Sequence, residues 1–309
     1  MNVSFRQLRV FTEVVRQGSV QRAAAALHLT PPAVSMQLKE MESQVGLALF
    51  DREGRRLTLS TAGEYFAFYA RRLLATLKEA EDAMARFKGV ASGVLTIGMV
   101  GPAQYFLPQL LGQFHAEHPA VDVRLRLGNR EQLVAAMTAS EVDLSVMGRA
   151  PKEWPNRAEP FAAHPHVLIT APDHPFARSE SVPAAALARE RFIVREPGSG
   201  SRAAVAEYLA EHRIEPVVAM ELPSDEAIKR TVMAGLGVAL VSLHTIGLEW
   251  RNGLLAAPHV EGLPLMRRWH LVNAFAKALS PAAEAFRYFM LERAEAALAD
   301  MFGGELAIG

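Results

Sequence analysis

The residues best suited to chemistry are Arg195-Glu196-Pro197-Gly198-Ser199-Gly200-Ser201-Arg202. A strand-like run ends at Arg195, a glycine-serine loop follows, and a helical run begins. Unpaired N–H groups at a helix N-terminus favour an anion, and loop glycines bare more of them. Ser199, Ser201 and Arg202 add donors, so the implied ligand carries phosphate or carboxylate. The same residues also suit a plain capped turn. Arg149, just past the run 142–147, and Asn129, at the head of a helical run, can point to the same place. A surface salt bridge and a helix cap account for those two equally well.

Catalytic chemistry is poorly served by comparison. There is no cysteine among the 309 residues, which excludes disulfides, thiolate metal sites and cysteine nucleophiles. His164-Pro165-His166 offers two ligands, too few for a metal site. Ser199 has no evident base, and Gly198-Ser199-Gly200-Ser201 is not the G-x-S-x-G elbow. No catalytic or metal-binding residues are therefore assigned. An enzyme and a solute-binding receptor remain as rival classes. The receptor reading lacks an export signal, since Arg6, Arg9, Glu13 and Arg16 interrupt the first twenty residues. No apolar run approaches the ~18 residues of a membrane span, so no membrane partner is expected and the chain is placed in the cytoplasm.

A second group of residues suits a polyanion. The 33 basic and 33 acidic side chains cancel over the chain, yet residues 1–60 carry eight basic against five acidic ones, with Arg52, Arg55 and Arg56 clustered. The elements that hold them are legible. Ser4 and Gln7 make a capping box before Leu8, Phe11 and Val15, and Gly18 suits the C-cap. Ser19 can cap a short alanine-rich helix over 20–27, with His28 and Leu29 as the turn. Thr30 can cap a third helix with Pro31 and Pro32 in its first turn. Val34, Leu38, Met41 and Val45 form the buried stripe of that helix, while Pro32, Ser35, Met36 and Lys39 project outwards. This is a helix-turn-helix arrangement. Residues 49–59 then read as two short strands around a turn at Glu53-Gly54 with arginines at its tip, a wing for a phosphate backbone. A generic three-helix bundle explains the caps and the stripe but leaves the wing unexplained.

These residues carry a resemblance. Ala23-Ala24, Leu29-Thr30-Pro31-Pro32-Ala33-Val34-Ser35, Gln37-Leu38, Glu42, Gly46, Leu49-Phe50, Arg52 and Leu57-Thr58 resemble the N-terminal signature of the LysR-type regulators. The resemblance implies a winged helix-turn-helix that binds double-stranded promoter DNA. Ser35 and Lys39 would bond phosphates or base edges, and Met36 would touch a thymine methyl. Arg52, Arg55 and Arg56 would hold the backbone. Gln37, at the flank, is balanced between a base contact and a solvated position. Two departures stand out: the family often has Gln where Pro31 stands and Arg where Met36 stands, which shifts specificity towards shape and apolar contact.

The run 61–90 reads as one long helix. Phe66, Leu73, Ala80 and Phe87 recur every seven residues, as do Ala70, Leu77 and Met84, the pattern of a coiled coil. A helix packed on its own domain is the alternative. The resemblance favours dimerisation through Phe66, Leu73, Leu77, Met84 and Phe87, with dimers pairing into a homotetramer and RNA polymerase as a further partner.

From residue 94 strands and helices alternate, so the fold class is α/β with a parallel sheet. Strands are expected at 94–99, 121–127, 142–147, 166–170, 191–195, 217–221, 238–242 and 268–273. Helices are expected at 104–118, 129–140, 201–212, 225–234 and 280–300, with Gly235 as a C-cap and Pro151, Pro155 and Pro160 as breaks. Two lobes would leave a cleft at the strand ends. The segment resembles the LysR-type effector domain, itself similar to a periplasmic binding protein of type II, through the alternation and Ala234-Gly235-Leu236-Gly237-Val238. The expected organisation is a DNA-binding domain over 1–60, a linker helix over 61–90 and an effector domain over 91–309. Its lobe I spans 91–162 and 266–309, and its lobe II 163–265. The candidate ligand residues are Asn129, Arg149, Arg195, Ser199, Ser201 and Arg202.

Several segments further resemble the LysR subgroup that regulates Calvin-cycle carbon-fixation genes. They are Gly128-Asn129-Arg130-Glu131, Met147-Gly148-Arg149, 162–168, 195–200, and Ile228-Lys229 leading to 232–235. That resemblance implies no bound cofactor but a small effector: a phosphorylated sugar, a related phosphometabolite or NADPH. Val100-Gly101-Pro102-Ala103 departs from the subgroup, which usually has hydroxyl residues there, and this leaves the effector's identity open.

Overall fold

The computed structural model describes residues 1–53, 56–87 and 93–303, and the chain forms two compact units, Met1–Phe87 and Lys88–Gly309.

In the first unit, helix α1 (Phe5–Gln17) starts at the Ser4–Gln7 capping box and ends on Gly18 in the left-handed conformation. Helix α2 (Val20–Ala26) is capped by Ser19, and His28 at φ 55° makes the turn. Helix α3 (Pro31–Val45) has both prolines in its first turn, as expected. The Thr30 side chain makes no capping hydrogen bond, however. Val34, Leu38 and Met41 are buried, and Val45 packs at the edge of the same core. Strands β1 (Phe50–Glu53) and β2 (Arg56–Leu59) pair antiparallel as the two sides of the wing. The Glu42 carboxylate accepts the N–H groups of Leu49 (2.8 Å) and Phe50 (3.2 Å), which ties the end of α3 to the start of the wing.

Helix α4 (Thr61–Phe87) begins where Ser60 accepts the Gly63 N–H at 3.0 Å. A side chain at Gly63 would collide with the Leu49 carbonyl, 2.0 Å from where its Cβ would stand. The first turns of α4 belong to the N-terminal core: Ala67 and Ala70 are buried in it, and Phe66 meets Phe11 edge-on at 5.2 Å. Phe66, expected in a dimer seam, is therefore occupied inside its own unit.

The second unit is α/β. It comprises β3 (Gly93–Met99), α5 (Leu107–Glu117), β4 (Val121–Leu127), α6 (Arg130–Thr138), β5 (Leu144–Met147), β6 (Asn156–Ile169), β7 (Arg191–Arg195), α7 (Gly200–Glu211), β8 (Val217–Leu222), α8 (Asp225–Met233), β9 (Ala239–Ser242), α9 (Gly247–Arg251), β10 (Leu265–Ala274) and α10 (Pro281–Phe302). Six strands form one sheet in the order β4-β3-β5-β10-β6-β9, and β7-β8 pair separately. The pairs β3–β4 and β3–β5 are parallel, and so is β7–β8. By contrast, β10 runs antiparallel to both β5 and β6, and β6 to β9. The expected parallel sheet is thus mixed.

Three local expectations are corrected. The helix expected at 104–118 starts only at Leu107, because Pro108 must sit in a first turn; Gly101–Tyr105 is a 3-10 turn instead. The strand expected at 166–170 begins ten residues earlier, and Pro160, expected as a break, lies inside it. The register shifts between Trp269, opposite Ala162, and His270, opposite Pro160, leaving Phe161 as an extra residue, and a bulge tolerates proline. As a result β6 and β10 run across the expected lobe boundaries at 162/163 and 265/266. One core packs α5 and α10 against β3, β5 and β10. Another gathers β7, α7 and the segment around Val260.

Candidate nucleic-acid interface and ligand cleft

On α3, Pro32, Met36 and Lys39 are exposed and Ser35 is half-buried at the margin of the same face. Met36 is 65% exposed, which water disfavours unless something apolar covers it. Gln37 is half-buried, and its Oε1 is hidden without a hydrogen-bond partner among the described residues, so only part of it faces outwards. Arg52 stands opposite Leu57 in the wing, and Arg56 opposite Glu53. Arg55 and Gly54, at the tip, lie outside the described residues. The surface carries an outward helix face, a half-buried hydroxyl, an exposed ammonium and a two-stranded ribbon. That is the donor set needed to grip phosphates and touch base edges.

On α4, Leu73 (50%) and Met84 are exposed and Leu77 is half-buried; Phe87 ends the helix. Tyr65, Phe68 and Tyr69, absent from the sequence-based seam, are exposed as well. Strict seven-residue counting missed them because it took the inward Phe66 for the stripe.

In the second unit a cleft of about 530 Å³, counting its open mouth, is lined by Val100, Gly101, Asn129, Arg149, His164 and Arg195, by Ser199 to Ser201 and by Arg267, among others. Five of the six candidate ligand residues reach it, with different parts to play. Asn129 accepts the Gln132 N–H at 2.9 Å, so it caps α6 as well as lining the cleft. Ser199 stands at the N-cap of α7 without a side-chain capping bond, and Ser201 follows in the first turn. Both are nearly buried at the cleft. Arg149 opens onto it from the end of β5.

Arg195 also lines the cleft, but its charge is already matched. Its Nε donates to Glu196 at 2.8 Å and its Nη1 to Asp225 at 2.7 Å. Burial works against the guanidinium charge, but Glu196 and Asp225 outweigh it and hold the pKa above its ordinary value. Arg202 is a correction. It donates to the Arg195 carbonyl at 2.8 Å and pairs with Glu221, and it does not line the cleft. As the third residue of α7, it is turned by the helix towards β8.

Sequence reasoning missed His164, His166 and Arg267. Arg267 pairs across the sheet with His164, so both meet at the cleft floor. The His164 ring stacks on Trp269 at 3.8 Å between centroids and is only 3% exposed. Neither of its ring nitrogens has a hydrogen-bond partner among the described residues. Burial, followed by the neighbouring His166, His244, Arg267 and His270, holds its pKa well below that of a free imidazole. Burial likewise brings His166 down to about 4. The floor is therefore neutral, and the positive charge comes from the arginines around it. The only sequence signal was the unusual His-Pro-His run.

Known families match this arrangement. The bacterial regulatory helix-turn-helix protein, lysR family, matches residues 5–64, and the LysR substrate binding domain matches residues 88–295. The chain belongs to the LysR family. It is a DNA-binding transcriptional regulator with an effector-binding domain, not an enzyme. The chain is 45% identical over 303 residues to the HTH-type transcriptional regulator CfxR of Cupriavidus necator, covering 98% of this chain and 95% of that one. It is 42% identical to the RuBisCO operon transcriptional regulator of Allochromatium vinosum over 95% of this chain and 97% of that one. The solved regulatory domain of Synechocystis CcmR, in complex with 2-phosphoglycolate, superposes with a TM-score of 0.63. It is 35% identical and matches 65% of this chain and 97% of that one.

Proposed function

We propose that this LysR-family regulator binds its operator with Pro32, Ser35, Met36 and Lys39 of α3, holds the backbone with Arg52, Arg55 and Arg56, and responds to a phosphorylated or carboxylated metabolite. That metabolite sits in the cleft, with Arg149 neutralising it, Ser199, Ser201 and the first N–H groups of α7 bonding it, and Asn129 orienting it. Arg195 shapes the site while its charge stays committed to Glu196 and Asp225. The observation that carries the reading is the meeting of the open α7 N-terminus with Arg149 and Arg267 around one cleft. The 2-phosphoglycolate bound by the related CcmR domain supports an anionic occupant.

The exposed side chains of α4 support pairing into a dimer, which would present two recognition helices to adjacent half-sites. The dimers then associate into tetramers, and the bound regulator contacts RNA polymerase. Effector binding acts by population shift, favouring one degree of lobe closure and with it one DNA geometry.

The test is to titrate 2-phosphoglycolate, a sugar bisphosphate and NADPH into the full chain while following thermal unfolding, then to footprint the promoter beside its gene with and without the best of them. A true effector at a hundredfold excess over its Kd stabilises the folded state by about 2.7 kcal/mol and changes the footprint or the bend. No stabilisation by any of the three, or a footprint indifferent to a bound one, refutes the effector scheme.

A further inference from the structure

Arg267, the third residue of β10, lines the cleft beside His164. Its Nε is buried without a partner among the described residues, while its Nη2 donates to the Glu207 carboxylate. The same Glu207 oxygen lies 3.9 Å from Nη1 of Arg149, the other cleft arginine. Glu207 sits on α7, seven residues beyond Gly200. It therefore shares the helix face that carries Gly200 at the cleft. One carboxylate thus faces two arginines, one on β10 and one in the bend that follows β5, at the border of a site whose remaining surface suits an anion. The Arg267 hydrogen bond, together with the charges of Arg149 and Lys152, holds the Glu207 carboxyl below its ordinary pKa. Glu207 is half exposed, so it can swing into water at little cost once Arg267 has a better partner.

We propose that Arg267 is a ligand-binding residue of the cleft and that Glu207 is its resident counter-anion, displaced when an anionic metabolite enters. The proposal rests on the anion-binding reading of the cleft and adds its regulation. In the empty cleft Glu207 keeps Arg267 and Arg149 together and screens their charge. A phosphate or carboxylate of the ligand takes over the guanidinium edge at Arg267, and the released Glu207 uncouples α7 from Arg149. Binding energy is thereby converted into freedom between α7 and the end of β5, a differential contact of the kind a population shift requires.

The probe is 2-phosphoglycolate, titrated into the full chain by calorimetry. Glu207→Gln keeps the volume and removes the competing charge. It should bind the probe tighter, by up to about fivefold, the upper end expected from releasing one partly exposed ion pair. Arg267→Gln should lose tenfold or more, and Arg267→Lys should fall between it and the parent. In the Arg267→Gln background, Glu207→Gln should bring no gain, because there is no longer a guanidinium to release. Thermal unfolding of each unliganded variant identifies any that is misfolded, and Arg267→Lys then carries the comparison. Equal or weaker binding by Glu207→Gln, or a gain that persists without Arg267, overturns the proposal. If the parent chain binds the probe and Arg149→Gln abolishes binding while Glu207→Gln changes nothing, the cleft reading stands and only this inference falls. Failure of parent and Glu207→Gln alike to bind the probe removes this inference, and the cleft reading falls with it only if the sugar bisphosphate and NADPH also fail to stabilise the chain.

Discussion

Gly148 separates the cleft from its floor. A Cβ built on it would stand 2.6 Å from both Cε1 and Nδ1 of His164. The ring cannot retreat, because fully buried Trp269 is stacked behind it. Gly148→Ala should therefore cost about 1–3 kcal/mol, the usual penalty for overpacking, and weaken 2-phosphoglycolate binding with it. Thermal unfolding and a ligand titration on the same variant check both; an alanine variant as stable and as tight-binding as the parent would show that the ring moves freely. At this scale the sequence was informative only where a side chain acts on backbone a few residues away. Asn129 and Ser4 cap their helices as expected, since a cap is decided within three residues. Arg202 and Arg195 behave differently from expectation because their partners, Glu221 and Asp225, arrive from other elements.

Helix α4 shows how an element can be read correctly and its face misread. Its span follows from composition, but seven-residue counting placed Phe66 in the same seam as Leu73. In the structure Phe66 packs on Phe11, while Tyr65, Phe68, Tyr69 and Leu73 lie outside. The two side chains therefore separate stability from assembly. Phe66→Ala should lower the stability of the N-terminal unit by about 2–4 kcal/mol, near the lower end for aromatic truncation because the ring is only partly buried. Leu73→Asp should leave folding almost unchanged and shift the chain towards monomer in sedimentation velocity. If Leu73→Asp melts early and stays associated, the outward stripe is not the seam.

Across the second unit, His164, His166 and His244 cluster around Trp269, where β6, β10 and the turn after β9 meet. Burial holds His166 and His244 at about 4. Their unfolded value is near 6.5, so the unfolded chain binds more protons between those limits and stability falls as pH drops through that window. Each histidine contributes a slope of about 1.4 kcal/mol per pH unit there at full effect. The melting temperature should hold steady from pH 8 to 7 and fall steeply from 6.5 towards 4. A replacement of His244 by Phe or Leu that still folds should flatten the decline. An unchanged slope in that variant would mean that other groups carry it.

The sequence alone determined most of the helices and strands, the Ser4, Ser19 and Asn129 caps and the winged helix-turn-helix, because hydrophobic period and capping chemistry are local properties of a few neighbouring residues. It also located the glycine-serine loop at the cleft. The rest of the cleft was decided by tertiary structure: His164 and Arg267 stand about a hundred residues apart and become neighbours only because β6 and β10 pair in one register. Which arginine keeps an open edge, and which is already neutralised by a carboxylate, depends on where Glu196, Asp225 and Glu207 come to rest. No local pattern encodes that, since an ion pair is set by distance in space and not by spacing along the chain.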